Sequence, residues 1–194
     1  MNVLFVLDSS SNVGSSNWNS ILNFASQIVN ALTLGPTATR VGVITFSDQA
    51  NNAINFNSYN DDKSQLTNAI LSLALMGGNR NIYQALQTAL NTFTTTTGAR
   101  PEVPDLVIFI TGGASTTNAD QVPLAARMMH RAGITVYAIG ITSSVNQTEL
   151  QTISSHPHLS NHQLWNISDY GTSLSNIVNG VIDELCVPIL GNAY

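Results

Sequence analysis

Apolar strands alternating with amphipathic helices predict an α/β domain, doubly wound around a mostly parallel sheet with one antiparallel edge strand and helices on both faces. Three observations carry this expectation. The runs VLFVL, LVIFI and TVYAIGI are apolar at consecutive positions, as strands covered on both faces must be. The stretches between them place apolar residues three and four apart, which gives a helix one buried stripe. RVGVITF is followed, after a short turn at Ser47-Asp48, by the weaker AINF, a hairpin that supplies the antiparallel edge.

Each element follows in order. Residues 3–7 form the first strand, ended by the polar turn at Asp8. Trp18, Ile21, Leu22, Ala25, Ile28, Val29 and Leu32 trace a helix stopped by Gly35-Pro36. Strands follow at 40–46 and 53–56. Asp61-Asp62 opens the next helix, where acidic groups suit the positive end of the helix dipole. After the loop Met76-Gly77-Gly78-Asn79, a third helix covers 82–93, and a polar Thr/Pro connector leads to the strand at 106–110, ended by Thr111-Gly112-Gly113. A helix over 120–130, a strand over 135–141, a helix over 147–153, a short strand near 163–167 and a last helix over 170–185 complete the pattern. In such a sheet ligands bind at the carboxyl ends of the strands, where the strand order reverses. The loops 8–12, 77–81 and 111–115 all belong to that end and are expected to meet in space.

At 194 residues the chain suits one domain, expected over residues 1–186, with 187–194 as a tail or linker. Charged residues are only 9% of the chain, against the usual quarter, and Asn, Ser and Thr replace them. The net charge is −5 and the six Lys and Arg are scattered, so backbone-phosphate contacts have no cationic patch and nucleic acid is not an expected partner. No apolar run reaches the length of a membrane span. The first residues lack the basic region and the long apolar core of a leader peptide, and a strand is the better reading.

Templates for catalysis are absent: there is no G-x-S-x-G, no P-loop, no G-x-G-x-x-G after the first strand and no H-E-x-x-H. An enzyme is not expected. His156, His158 and His162 lie within seven residues, but Pro157 and polar neighbours favour solvated loop histidines over a zinc or copper site. His130 suits a helix C-terminus. Asp8, Ser10 and Asn12 alternate along the turn after the first strand and carry oxygens suited to a hard cation. The competing reading is that one of them caps the following helix while the others bond the turn.

The stretches FVLDSSSNV, RVGVITFSD, MGGNRNIYQAL, LVIFITGGAS and VYAIGI, in this order from Val3 to Cys186, resemble the von Willebrand factor type A domain family, also seen as the inserted domain of integrins. That resemblance implies a Rossmann-like fold and a metal-ion-dependent adhesion site. Its D-x-S-x-S signature falls on Asp8, Ser10 and Asn12, its second-loop threonine on Asn79, and the aspartate of its T-D-G on Gly112. Two positions match, two are replaced by amides and one is absent. A hard divalent ion gains most from anionic oxygens, so a site built from Asp8, Ser10, Asn12 and Asn79 is expected to be degenerate. No cofactor is expected to be required, and Mg²⁺ or Ca²⁺ is expected to bind weakly at most.

The resemblance further implies a non-enzymatic, secreted domain of the extracellular matrix that binds a protein partner, collagen among the candidates. The charge-poor composition is similar to that of structural matrix proteins such as those of byssal threads. Two alternatives stay open: a cation-dependent receptor that captures a partner carboxylate, and an intracellular assembly scaffold. Glycan at the sequons of Asn146 and Asn166 would exclude the scaffold. Members of the family often pair a cysteine after the last helix with one before the first strand. Cys186 then pairs upstream of Met1 in a longer chain, pairs elsewhere, or stays reduced.

Overall fold

A computed structural model describes residues 1–59, 62–155 and 164–186, and everything said of structure below concerns these residues. The strands are β1 (Asn2–Asp8), β2 (Arg40–Phe46), β3 (Ala50–Ile54), β4 (Asp105–Thr111), β5 (Thr135–Ile141) and β6 (Leu164–Ile167). The helices are α1 (Ser15–Ala31), α2 (Lys63–Leu71), α3 (Ile82–Thr92), α4 (Val122–Arg131), α5 (Gln147–Ile153), α6 (Thr172–Asn176) and α7 (Val178–Cys186). One six-stranded sheet runs β3-β2-β1-β4-β5-β6, all parallel except the β2–β3 hairpin.

Every residue of β1 is buried, because alternate side chains enter opposite cores. Val3, Phe5 and Leu7 pack with α1, α2, α6 and α7, while Leu4 and Val6 pack with α3, α4 and α5. This two-sided burial is why β1 and β4 read as unbroken apolar runs. The expected doubly wound architecture is therefore the observed one.

Two elements differ from expectation. The edge strand lies at Ala50–Ile54, three residues earlier than 53–56, since its pairing with β2 is set by the tight turn after Phe46 and not by its own polar ANNAI sequence. The last helix is broken at Ile177 into α6 and α7. Leu174, Val178, Val181 and Leu185 keep helical spacing across the break and stay buried, so the apolar pattern gives no sign of it. The histidines 156, 158 and 162 and the tail 187–194 lie outside the described residues, as does the side chain of Cys186.

The strand order reverses at β1, which has β2 on one side and β4 on the other. The carboxyl ends of β1 and β4 thus sit side by side, and the loops that follow them share the rim of the sheet before α1 and α4 part to opposite faces.

Candidate functional site

Three loops meet at that rim, and backbone bonds lock them together. The amide of Ser11 donates to the carbonyl of Gly78 at 3.0 Å, and that of Gly77 to Ser9 at 2.9 Å. The Gly78 amide in turn donates to the Ser11 hydroxyl at 2.8 Å. From the β4 loop, the Thr116 amide donates to the Arg80 carbonyl at 2.8 Å, and the Arg80 amide to the Thr116 hydroxyl at 2.8 Å. Gly78 is at φ +87°, a backbone conformation that strains any residue with a Cβ, and a side chain there would also meet the Asp48 carboxylate.

Asp8 lies at the centre and is fully buried. Its Oδ1 accepts the Ser10 amide at 3.0 Å. Its Oδ2 accepts Arg80 Nε at 2.5 Å, the Gly112 amide at 2.9 Å and the Thr111 hydroxyl at 3.2 Å. Three of these donors converge on Oδ2 and one on Oδ1, and the Thr111 hydroxyl also lies 2.9 Å from the Gly113 carbonyl. The charge of Asp8 is met by the Arg80 guanidinium, itself only 4% exposed. Arg80 Nη1 donates to the Ala114 carbonyl at 3.3 Å, while Nη2 is buried and has no partner.

The sequence-derived residues separate on this geometry. Asp8 and Ser10 sit in the centre, and the buried Ser10 hydroxyl is unpaired. Asn12 is exposed and lines a cavity beside Arg80. Asn79, expected to face Asp8, turns the other way and donates its amide to Asp48 Oδ1 at 2.9 Å. The second-loop residue that reaches Asp8 is Arg80, one position further on. Capping does not explain the first loop either: Gly14 starts α1, with no side-chain cap bond. Sequence reasoning missed Arg80, and the sign it left is a lone cation inside a glycine-rich loop of a charge-poor chain.

Gly112, where the family's aspartate was expected, is tied to the same change. A Cβ there would sit 1.8 Å from the Tyr170 hydroxyl and 3.6 Å from Arg80 Nη2. A Cβ at Gly113 would sit 2.5 Å from Arg80 Nη1. The space of a second acidic side chain is thus filled by a phenol and a guanidinium. A metal ion at this rim would need acceptor oxygens, and it meets a carboxylate already paired with a guanidinium, and a hydroxyl. The residues present do not fit a divalent ion. Among the described residues no group of three or more His, Cys, Asp or Glu is placed to hold a metal.

Burial pushes the Tyr170 phenol up to about 12, with the Asp8 carboxylate adding to the rise and Arg80 opposing it. Burial, with Glu184 adding, does the same to Tyr137. A phenol whose folded pKa is raised contributes stability that is complete below pH 10 and is lost as pH climbs through 12. Spectrophotometric titration at the phenolate band should show Tyr137 and Tyr170 ionising at about 12, and Tyr170→Phe should remove one of these two late steps. Two late tyrosines persisting in Tyr170→Phe would contradict the burial of this phenol.

The cavity beside Arg80 has a volume of about 600 Å³ and is lined by neutral groups, among them Asn12, Asn17, Thr142, Ser144 and Ser168, together with Tyr170 and Asp169. Asp169 is exposed, and its carboxyl is held below the usual carboxylate range, chiefly by the Ser173 hydroxyl.

Comparison with known proteins matches this fold. The family model for the von Willebrand factor type A domain matches residues 2–180. Human collagen alpha-6(VI) chain is 30% identical over 157 residues, covering 81% of this chain and 7% of that protein. Mouse matrilin-2 is 30% identical over 161 residues, covering 81% and 16%. Proximal thread matrix protein 1 from the mussel byssus has a solved structure that superposes with a TM-score of 0.81 at 25% identity, covering 95% of this chain and 45% of that one. A further structure of that mussel protein, with a zinc-occupied adhesion motif, superposes with a TM-score of 0.82 at 25% identity. The chain spans less than half the length of each of these proteins. The chain belongs to the von Willebrand factor type A domain family, and the relatives it matches are proteins of the extracellular matrix.

Proposed function

We propose that the chain is a non-enzymatic domain of an extracellular-matrix protein that binds a protein partner through the rim of its sheet without a divalent ion. One observation carries this reading: the Arg80 guanidinium stands on Asp8, so the site holds its own positive charge. A buried pair of this kind fixes geometry, since either partner alone would be an uncompensated charge. The surrounding surface of Asn, Ser and Thr suits direct and water-bridged hydrogen bonds to a polar fibrous partner. Collagen is the first candidate, since several relatives are themselves collagen chains. Residues 1–186 form the domain in this reading, with 187–194 as its tail.

Solid-phase binding to a panel of collagens tests partner and metal dependence together. Saturable binding to at least one collagen, with the same half-saturation in EDTA and in Mg²⁺, is the expected result. Binding abolished by EDTA would overturn metal independence, and no binding to any collagen would overturn the partner.

A second reading, capture of a partner carboxylate through a bound cation, draws on the unpaired Ser10 hydroxyl and on the zinc-occupied relative. It would have Asp8, Ser10, Asn12 and Asn79 hold the ion, and Arg80 would first have to leave Asp8. A thermal midpoint raised by millimolar Mg²⁺, Ca²⁺ or Zn²⁺ would favour it.

A further inference from the structure

The cavity beside Arg80 is more selective than an open polar cleft. Arg80 is one of its lining residues, and a nitrogen of that guanidinium, Nη2, is buried and unpartnered in a residue only 4% exposed. An unmet buried donor of this kind favours any group that brings it an acceptor. The charges around it decide which acceptor. Asp8 already balances Arg80, so the pair offers no net attraction to an anion. Asp169 then leaves the cavity negative. Its own oxygens are taken, Oδ1 by the amides of Gly171 and Ser173 and Oδ2 by the hydroxyls of Ser168 and Ser173. An incoming carboxylate would meet that charge with nothing to offset it.

A neutral amide meets both demands. Its carbonyl oxygen can accept from Arg80 Nη2, and its NH₂ can donate to the oxygens of Asn12, Ser144 or Ser168 along the wall. We propose that this cavity is a subsite for an uncharged amide of the protein partner, an Asn or Gln side chain, and that it rejects the corresponding acid. The proposal rests on the metal-free rim described above. It reverses the preference of a site that captures carboxylates through an ion.

The test uses NMR titration of the ¹⁵N-labelled chain in EDTA with three probes: N-acetyl-glutamine N-methylamide, N-acetyl-glutamate N-methylamide and methyl β-glucopyranoside, so that only the glutamine side chain supplies a primary amide. Probes of this size bind with dissociation constants on the order of millimolar. The glutamine probe is expected to shift the amides of Gly112, Ser144 and Gly171 saturably, and the Arg80 Nε–H signal with them. The glutamate probe is expected to bind at least about fivefold more weakly, the loss of one shared donor's preference. Asn12→Ala and Ser144→Ala line the wall without touching the Asp8–Arg80 pair. Each should weaken the glutamine probe about threefold or more at an unchanged thermal midpoint, in line with one lost hydrogen bond.

Glutamate binding as tightly as glutamine would overturn the proposal. So would saturation by the glucoside with no response to glutamine, or silence towards every probe up to its solubility. Collagen bound in EDTA by a chain whose cavity ignores glutamine would sink this subsite and leave the wider reading standing. A chain whose cavity takes glutamine but which binds no matrix partner would do the reverse.

Discussion

Arg80→Ala is expected to cost about 3–5 kcal/mol of stability, because it strands the Asp8 carboxylate in the interior with no counter-charge. The lower half of that range is the better expectation. Asp8 keeps the Ser10 and Gly112 amides and the Thr111 hydroxyl, and these three donors partly offset the lost cation. Denaturant titration by circular dichroism reads the change as a lower midpoint at constant slope. The cause is separated from loss of packing by adding Asp8→Asn. An uncharged amide no longer needs the cation, so the double variant should recover a substantial part of the loss, a coupling that neighbouring groups show and distant ones do not. If Arg80→Ala and Asp8→Asn/Arg80→Ala are equally unstable, the ion pair is not what holds the rim.

Gly112→Asp is the second large effect. Restoring the acid that the family resemblance calls for should damage this chain. The new Cβ would lie 1.8 Å from the Tyr170 hydroxyl, and Tyr170 is anchored at the start of the segment leading into α6 with its ring buried. Overpacking of that kind costs about 1–3 kcal/mol, and Gly112→Ala should show this part alone. The aspartate adds a second buried negative charge beside Asp8 with only one guanidinium to share, so its cost should exceed that of the alanine. Neither variant should gain affinity for Mg²⁺. Only the combined Arg80→Thr/Gly112→Asp/Tyr170→Ala chain, which removes the cation, supplies the carboxylate and clears its space, is expected to bind Mg²⁺ in isothermal titration. Heat of binding from Gly112→Asp alone would show that the guanidinium and the phenol are not obstacles.

The parts of the molecule that could be read from sequence are those where burial repeats over several residues. β1 and β4 are covered on both faces, so their runs of consecutive apolar residues had one reading. The convergence of the three loops followed from topology, because the ends of β1 and β4 are neighbours wherever the order of a parallel sheet reverses. Asp8 was legible for the same reason, as the polar residue that closes a buried strand. The edge strand was misplaced because Asn51 and Asn52 face solvent and carry no alternation. The break at Ile177 left no trace, since the apolar spacing runs straight through it.

Arg80 was missed for a different reason. An arginine in a loop reads as a solvated surface cation, and nothing local distinguishes it from one that folds inward. Its burial depends on Gly112 and Gly113, more than thirty residues away, which leave room for the guanidinium, and on Thr116 and Ser115, which hold its backbone. That is a long-range agreement among single positions, without any period to reveal it. Asn79 corresponds to the family's second-loop position by likeness of sequence alone, and the structure gives its amide to Asp48.

A counter-ion carried on the polypeptide has no concentration in the medium. Its occupancy does not fall on dilution, in a chelating fluid or when divalent salts are scarce, because there is no dissociation step to shift. The same covalent attachment removes a means of control: withdrawing a divalent ion does not take this counter-charge away.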